Sequence, residues 1–98
     1  MGGWVYIMAS GPYGTLYVGV TNNIARRVHE HREGGRGFCH EYGVKRLVHL
    51  EKFELIQNAI HREKRLKKWP RAWKIKLIES ENPNWEDRYE TLLNWGPL

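Results

Sequence analysis

Two polar side chains interrupt the inward face of the first predicted helix. Every third or fourth residue from Ile24 onward gives Ile24, Arg27, Val28 and His31, the stripe that an amphipathic helix turns towards the core. A guanidinium there either extends its head into solvent along an apolar stem or binds an anion such as a phosphate group. On spacing alone, both interpretations stay open.

A single acid lies on the inward side of a second, strongly basic helix. Glu63 is three residues from both Ile60 and Leu66, and it is the only acid in residues 56–77. Because an unpaired buried carboxylate is costly, Glu63 needs either a salt bridge, to Arg27 or a neighbour, or a divalent cation. Mg²⁺ binds carboxylate oxygen while keeping several waters, which leaves room for a substrate phosphate.

Two tyrosines on neighbouring strand segments are candidates for proton chemistry. Aromatic residues are common in half-buried strands, so packing is the ordinary explanation for Tyr6 or Tyr17 alone. Beside an arginine and a metal ion, however, a phenol releases its proton more readily and can accept one from an attacking water.

Turn and capping signals predict the elements that position these side chains. Aromatic and β-branched residues indicate a hairpin with strands at 4–8 and 15–18, and Gly19 is expected to end the second strand. Side-chain oxygens in residues 21–23 can cap a helix that runs to about residue 33. The remaining expected elements are a strand at 47–53, a helix at 55–69 that Pro70 ends, a helix near 71–80 and an amphipathic piece containing Trp85, Tyr89, Leu92 and Leu93.

This order of elements, ββαβααα, predicts an α+β fold: one small domain over residues 1–98, with a three-stranded antiparallel sheet and helices packed on it. A chain of 98 residues buries one core that is too small for a large enclosed cavity, so we expect the site to be an open groove.

Composition excludes several classes of protein. The single cysteine, Cys39, cannot form an internal disulfide, and the longest apolar run, Trp4 to Ala9, is far too short to span a membrane. We therefore expect a cytoplasmic protein without membrane association. With Asp87 as its only Asp, the chain does not favour a site in which several carboxylates hold two metal ions.

The excess of basic residues favours a polyanionic partner. Sixteen Lys and Arg against eleven Asp and Glu give a net charge of +5, which points first to nucleic acid. Many of these cations fall in residues 62–76, where a solvated helical face is the ordinary interpretation. Alternatively, this stretch follows a phosphate backbone, with Trp69 and Trp73 either stacking on unpaired bases or lying in the core. The candidate nucleic-acid contacts are Arg26, Lys64, Lys67, Lys68, Arg71 and Lys74.

Five short segments resemble the motifs of the GIY-YIG nuclease domain, in the family's order and spacing. They are Val5 to Ile7, Tyr17 to Gly19, Thr21 to His31, Ala59 to Trp69, and Leu77 to Glu79 with Asn82 to Trp85. The resemblance is strongest to the small stand-alone bacterial members, which are related to the N-terminal domain of the excinuclease C subunit. Two departures are Trp4, where the family usually has glycine, and Val18, where it has isoleucine.

The resemblance implies roles for individual residues. The family's catalytic arginine falls on Arg27 rather than Arg26, and its metal-binding glutamate falls on Glu63. Its motif tyrosines fall on Tyr6 and Tyr17. A histidine found in some members falls on His31, and a late asparagine of the family aligns loosely with Asn82.

These roles predict a metal-dependent endonuclease that hydrolyses phosphodiester bonds, with Mg²⁺ or Mn²⁺ on Glu63 as its cofactor. We expect DNA ahead of RNA as the substrate, a role in DNA repair, and selection of structure rather than sequence, because no base-reading element is recognisable. Larger family members carry separate DNA-binding regions. Here, delivery of the substrate would fall to a partner protein.

Two other functions remain open at this point. One is a non-catalytic nucleic-acid-binding module of the same fold that acts with a partner protein. The other is a zinc-binding adaptor built on His29, His31, Cys39 and His40, although this spacing differs from that of usual structural zinc sites. His49 and His61 are interpreted as ordinary, partly exposed residues.

Overall fold

A computed structural model describes residues 1–33 and 41–90, which form three strands and three helices. These are β1 (Gly3–Ala9), β2 (Leu16–Thr21), α1 (Ile24–Glu33), β3 (Arg46–Phe53), α2 (Ile56–Lys68) and α3 (Arg71–Glu81). Every one of these elements was predicted, within a few residues at its ends. The last expected piece runs on to Leu92 and Leu93, which lie outside the described residues.

The three strands form one sheet in the order β2-β1-β3, and both pairs are antiparallel. In this register Tyr6 on the central strand pairs with Gly19 of β2 on one side and with Leu50 of β3 on the other. All seven residues of β1 are buried, because both faces of the strand are covered. This arrangement confirms the predicted α+β fold class.

Alternation along β1 sends its side chains to two separate cores on opposite faces of the sheet. The core under α1 includes Trp4, Tyr6, Met8, Ile24 and Val28. The core under α2 and α3 includes Val5, Ile7, Ala9, Ala59, Leu66 and Ile78. Of the helices given above, α1 therefore covers the Tyr6 face of the sheet, and α2 and α3 cover the other.

Local signals set the ends of the helices as expected. Asn23 caps α1, since its Oδ1 accepts the backbone N–H of Arg26 at 3.1 Å, while Thr21 Oγ1 accepts the N–H of Asn23 at 3.1 Å. Helix α2 ends at Lys68, two residues before Pro70.

Among the described residues, no helix combines the length and apolarity that crossing a bilayer requires.

The expectation that Gly19 ends β2 is wrong. The strand continues to Thr21, and Gly19 lies buried within it, directly opposite Tyr6. Ile60, which served above to place Glu63 on the inward side of its helix, is 38 % exposed, and the buried positions of α2 are Ala59 and Leu66.

The interpretation of His49 as partly exposed is also wrong, whereas His61 is exposed as expected. His49 is buried, and its Nε2 lies 2.8 Å from Glu51 Oε2, while Arg62 donates to both oxygens of Glu51 at 2.9 and 3.1 Å. Burial alone would raise the pKa of Glu51, but its hydrogen bonds with His49 and Arg62 lower it to about 2. This cluster fastens α2 to β3.

Candidate active site

Three aromatic rings from β1, β2 and α1 meet on the Tyr6 face of the sheet. Tyr6 Oη lies 2.9 Å from His31 Nε2. The ring of Tyr17 is 5.2 Å from that of His31 and 6.2 Å from that of Tyr6, measured between centroids. Tyr17 pairs with Met8, two residues along β1 from Tyr6, so both phenols project from the same face. The sheet register and the packing of α1 thus assemble the predicted Tyr6, Tyr17 and His31 into one cluster.

Exposure differs among the three rings. Tyr6 is fully buried, whereas Tyr17 and His31 are half-buried. Burial, followed by the positive charge of Arg27, lowers the pKa of His31 from its usual 6.5, with Glu30 acting in the opposite direction. The imidazole of His31 is therefore neutral near pH 7 and carries one unprotonated nitrogen that can accept a proton.

Arg27 lies one helical turn before His31 on α1. Its side chain is 39 % exposed, and its Nε lies 3.4 Å from Glu30 Oε1. That Nε is itself buried and forms no hydrogen bond with any residue in the described ranges. Buried N–H groups are nearly always satisfied in folded proteins; here the nearest acceptor is the Glu30 carboxylate, with which an anionic ligand beside the aromatic cluster would compete.

Glu63 lies on α2, on the other face of the sheet. Its side chain is only 13 % exposed, and Oε2 lies 3.0 Å from Nζ of Lys67, one turn further along the helix. Of the salt bridges considered from the sequence, the one to a helix neighbour is therefore the one formed. Arg27 pairs with Glu30 instead.

The orientation of α2 indicates the direction in which Glu63 points. Arg62 and Glu63 lie on opposite flanks of the buried stripe formed by Ala59 and Leu66. Because Arg62 binds Glu51 on β3, the flank that carries Glu63 is turned away from β3. In the sheet order β2-β1-β3, that direction leads to β2.

Within residues 1–33 and 41–90, no group of three or more His, Cys, Asp or Glu side chains is placed to hold an ion. Of the zinc candidates, His31 contacts Tyr6, while Cys39 and His40 lie outside the described residues. Glu63 as a lone, largely buried carboxylate fits Mg²⁺ or Mn²⁺, since Mg²⁺ is commonly held by one or two carboxylates together with waters and substrate phosphates.

The predicted nucleic-acid contacts lie at the surface. Arg26, Lys64, Lys67, Lys68 and Arg71 are exposed, and Lys74 is half-buried. Two of them already have partners. Lys67 pairs with Glu63, and Arg71 Nη2 donates to the carbonyls of Tyr13 and Gly14 at 2.7 and 2.6 Å. Arg71 therefore anchors α3 to the turn between β1 and β2.

Asn82 is buried and fully engaged with the backbone. Its Nδ2 donates to the carbonyls of Val48 and Glu86 at 3.0 and 2.9 Å, and its Oδ1 accepts the N–H of Glu86 at 3.0 Å. These bonds hold the chain after α3 against β3. In the structure Asn82 thus has a structural role, and its match to the family's late asparagine stays a prediction.

Sequence reasoning missed two residues that shape the site. Gly19 leaves room for Tyr6, and the available signal was a glycine inside an alternating strand, opposite an aromatic residue. Lys67 forms an ion pair with Glu63. The sequence signal for this pair was their spacing of four residues, at which oppositely charged side chains on a helix meet.

The fold and the site together define a class: a small α+β domain with a tyrosine–histidine cluster and an arginine on one face of the sheet, and a largely buried carboxylate on a helix that covers the other face. The family model described as the GIY-YIG catalytic domain matches residues 2–76. The chain belongs to the GIY-YIG family, whose domain is a nuclease domain, as the sequence motifs predicted.

Known relatives are of similar size. The chain is similar to a UPF0213 protein of Syntrophus aciditrophicus, with 38% identity over 88 residues that cover 82% of this chain and 92% of the relative. It is similar to the UPF0213 protein CPE1444 of Clostridium perfringens, with 37% identity over 81 residues that cover 82% and 86% of the two chains. The solution NMR structure of the UPF0213 protein BH0048 from Bacillus halodurans superposes with a TM-score of 0.57 and 28% identity, over 89% of this chain and 93% of that one.

Proposed function

We propose that this protein is a divalent-metal-dependent endonuclease that hydrolyses phosphodiester bonds in nucleic acid, with DNA ahead of RNA as its substrate. The observation that carries the proposal is the 2.9 Å contact between Tyr6 Oη and a neutral His31, with the unsatisfied Nε of Arg27 one helical turn away. Membership of a nuclease family supports the same class of reaction.

The aromatic cluster handles the proton of the attacking water. Tyr17 is the phenol nearer to solvent, so its hydroxyl orients the water and accepts a proton from it while giving its own proton to Nδ1 of His31, the nitrogen that does not face Tyr6. Tyr6 is buried and holds the imidazole in place through its hydroxyl. In this scheme Tyr17 contacts the water, and Tyr6 is a positioning residue.

Arg27 binds the phosphoryl oxygens. Its guanidinium donates several N–H groups in a fixed plane, which suits two oxygens of one phosphate. Negative charge grows on these oxygens as the bond to the leaving group breaks. A positioned donor of this kind contributes on the order of 10²–10³ in rate.

Glu63 would hold the divalent ion, with its carboxylate released from Lys67. When bound, Mg²⁺ or Mn²⁺ supplies positive charge to a phosphate oxygen and to the leaving 3′ oxygen. The flank of α2 that carries Glu63 and the Tyr17 end of the cluster both adjoin β2, an edge strand. A phosphate at this edge would have Arg27 on one side and Glu63 on the other.

Substrate choice follows from the basic surface. The exposed cations of α2 and α3 suit phosphates of any sequence, so they favour a substrate recognised by its structure. With phosphate contacts alone, affinity falls steeply with salt. A partner protein that delivers the substrate would offset this weakness.

The proposal is tested by incubating the protein with duplex, single-stranded and branched DNA and with RNA, in Mg²⁺, Mn²⁺ or EDTA. Cleavage is expected with either metal and should disappear in EDTA and in Glu63→Ala. Glu54→Ala is a matched control, because Glu54 is an exposed acid just before α2. Cleavage that persists in EDTA or in Glu63→Ala contradicts the proposed metal site.

The same assay separates the proposal from a non-catalytic binding module. Binding that is identical in EDTA and in Glu63→Ala, with no product on any substrate, would favour the module. Parallel binding measurements on each substrate therefore belong in the experiment.

A further inference from the structure

A shallow aromatic groove lies at the junction of α2 and α3, outside the site described above. It is lined by Trp69, Trp73, Lys76, Leu77 and Ser80 and has a volume of about 440 Å³, within the usual range of small-ligand sites. Trp73 is 56 % exposed, which is unusual for a side chain whose burial would stabilise the fold. More than half of the side chain is therefore open to a ligand, although it packs against Trp69.

The two indoles of the groove pack against each other. Trp69 and Trp73 meet edge to face, with centroids 5.7 Å apart. The guanidinium of Arg62 lies 5.1 Å from the centroid of the Trp69 ring, and Arg62 is itself held by Glu51. Trp69 therefore contacts both Arg62 and Trp73, and Trp73 presents its exposed ring beside it.

The surroundings of the groove are strongly cationic. Residues 64–78 contain seven Lys and Arg and no acid, and most of these cations are exposed. Lys76 lines the groove itself. An exposed indole within a positive field is complementary to a nucleobase on a phosphodiester strand, because every base offers a π face and every linkage an anion.

The groove lies on the flank of α2 opposite to Glu63. Arg62 contacts Trp69, and Arg62 and Glu63 occupy the two sides of the buried stripe of this helix. A strand held in the groove would thus be bound at a distance from the bond that is cut. Binding there can be measured separately from chemistry.

We propose that this groove binds an unpaired nucleobase of single-stranded nucleic acid, stacked on Trp73 with an adjacent phosphate on Lys76. The inference deepens the proposed nuclease function, on which it rests, by assigning a substrate class: a strand with unpaired bases, such as a single-stranded tail or branch. DNA and RNA share this chemistry.

The test measures binding in EDTA, where no cutting is expected, through tryptophan fluorescence and a salt series. The probes are a short oligothymidylate, an oligouridylate of equal length and a blunt duplex. Trp73→Ala should weaken binding of a single strand by about fivefold or more, since base stacking on an aromatic side chain is commonly worth that much. Trp73→Phe, which keeps a ring, should retain most of the affinity.

Matched controls use exposed residues away from the groove. Leu55→Ala removes an apolar side chain that is 53 % exposed at the start of α2, and Lys52→Gln removes one positive charge on β3. Neither control should weaken single-strand binding as Trp73→Ala does. Lys76→Gln should weaken this binding, and it should lower the salt dependence of the affinity more than Lys52→Gln does. Thermal melts confirm that each variant is folded.

Several results would overturn the inference. The first is that Trp73→Ala binds a single strand as tightly as the wild type does. The second is that Trp73→Ala loses as much affinity for the duplex as for the single strand. The third is that the protein self-associates through Trp73, as shown by loss of self-association in Trp73→Ala, while nucleic acid leaves the fluorescence unchanged. A loss confined to the DNA or the RNA strand supports the inference and identifies the source of the base. If binding depends on Trp73 but no substrate is cleaved in Mg²⁺, the proposed base-binding groove is supported and the nuclease proposal is contradicted. If substrate is cleaved but binding does not depend on Trp73, the nuclease proposal is supported and the groove is contradicted.

Discussion

The ring of Tyr6 lies directly over Gly19. The two residues pair across β1 and β2, and a Cβ atom at residue 19 would lie 2.4 Å from both Cζ and Oη of Tyr6. No side chain fits in that space. The tyrosine hydroxyl therefore reaches His31 only because its partner on β2 is a glycine.

Gly19→Ala is expected to displace Tyr6 and break its contact with His31. Misplacement of about 1 Å within a catalytic group costs on the order of 10²-fold in rate, and the added methyl costs about 1–3 kcal/mol of stability through overpacking. Cleavage assays and urea unfolding measure the two effects. Gly11→Ala is the control, since nothing lies within 4 Å of a Cβ there, and equal activity in both variants would contradict the role of Gly19.

Arg27→Ala should lower the rate of cleavage at saturating substrate on the order of 10²–10³-fold, because charge developing on the phosphate loses its donor. Single-turnover kinetics isolate this effect from binding. Arg26→Ala, one residue away and exposed, should weaken substrate binding and leave the single-turnover rate nearly unchanged. A larger rate loss in Arg26→Ala would reverse the assignment of these two residues.

Lys67→Gln should strengthen binding of the divalent ion at Glu63. The ammonium of Lys67 lies 3.0 Å from the carboxylate and competes with any cation. Ion pairs of this kind are typically worth about 0.2–1 kcal/mol, so Mn²⁺ affinity should rise by up to about fivefold in isothermal titration. Lys64→Gln removes the same charge from an exposed position and should change the affinity less. Equal affinities in the wild type and Lys67→Gln would place the ion elsewhere.

His31 should titrate below 6.5, because burial and the charge of Arg27 both disfavour its protonated form. A group that acts when neutral loses activity as the pH falls through its own pKa. The acid limb of the cleavage profile should therefore lie below pH 6.5. NMR titration of the ring measures the pKa directly, and Arg27→Gln should raise it. A midpoint above 6.5 would exclude this account of His31.

Glu51 should make folding stability depend on acid pH. Its pKa is lowered from 4.5 to about 2 in the folded protein, so its contribution is complete above pH 4.5 and is lost as the pH falls towards 2. The shift corresponds to about 3 kcal/mol. Urea unfolding at pH 7 and pH 3 should show a fall that Glu51→Gln reduces and the exposed control Glu54→Gln does not. An equal fall in all three proteins would show that other groups dominate.

Much of the architecture could be predicted from local signals. Such signals act within a few residues, so the sequence alone shows where a helix begins and ends. Examples are the helix stripe that begins at Ile24, the cap at Asn23 and the stop at Pro70. The order ββαβααα follows from these signals, and the spacing of short motifs was enough to predict the family. Tyr6, Tyr17, Arg27 and His31 were singled out for the same reason.

The remaining features depend on contacts between distant parts of the chain. The sequence predicts that Gly19 ends a strand, because the role of this residue is set by a ring on another strand, and it predicts a partly exposed His49, which is buried beside Glu51 in the structure. Arg62 fastens α2 to β3, and this contact decides towards which strand Glu63 is turned. The choice of Lys67 as the partner of Glu63 likewise depends on the folded structure. Composition and periodicity report on neighbouring residues along the chain. Burial and ion pairing depend on which strands and helices lie next to one another in the folded protein.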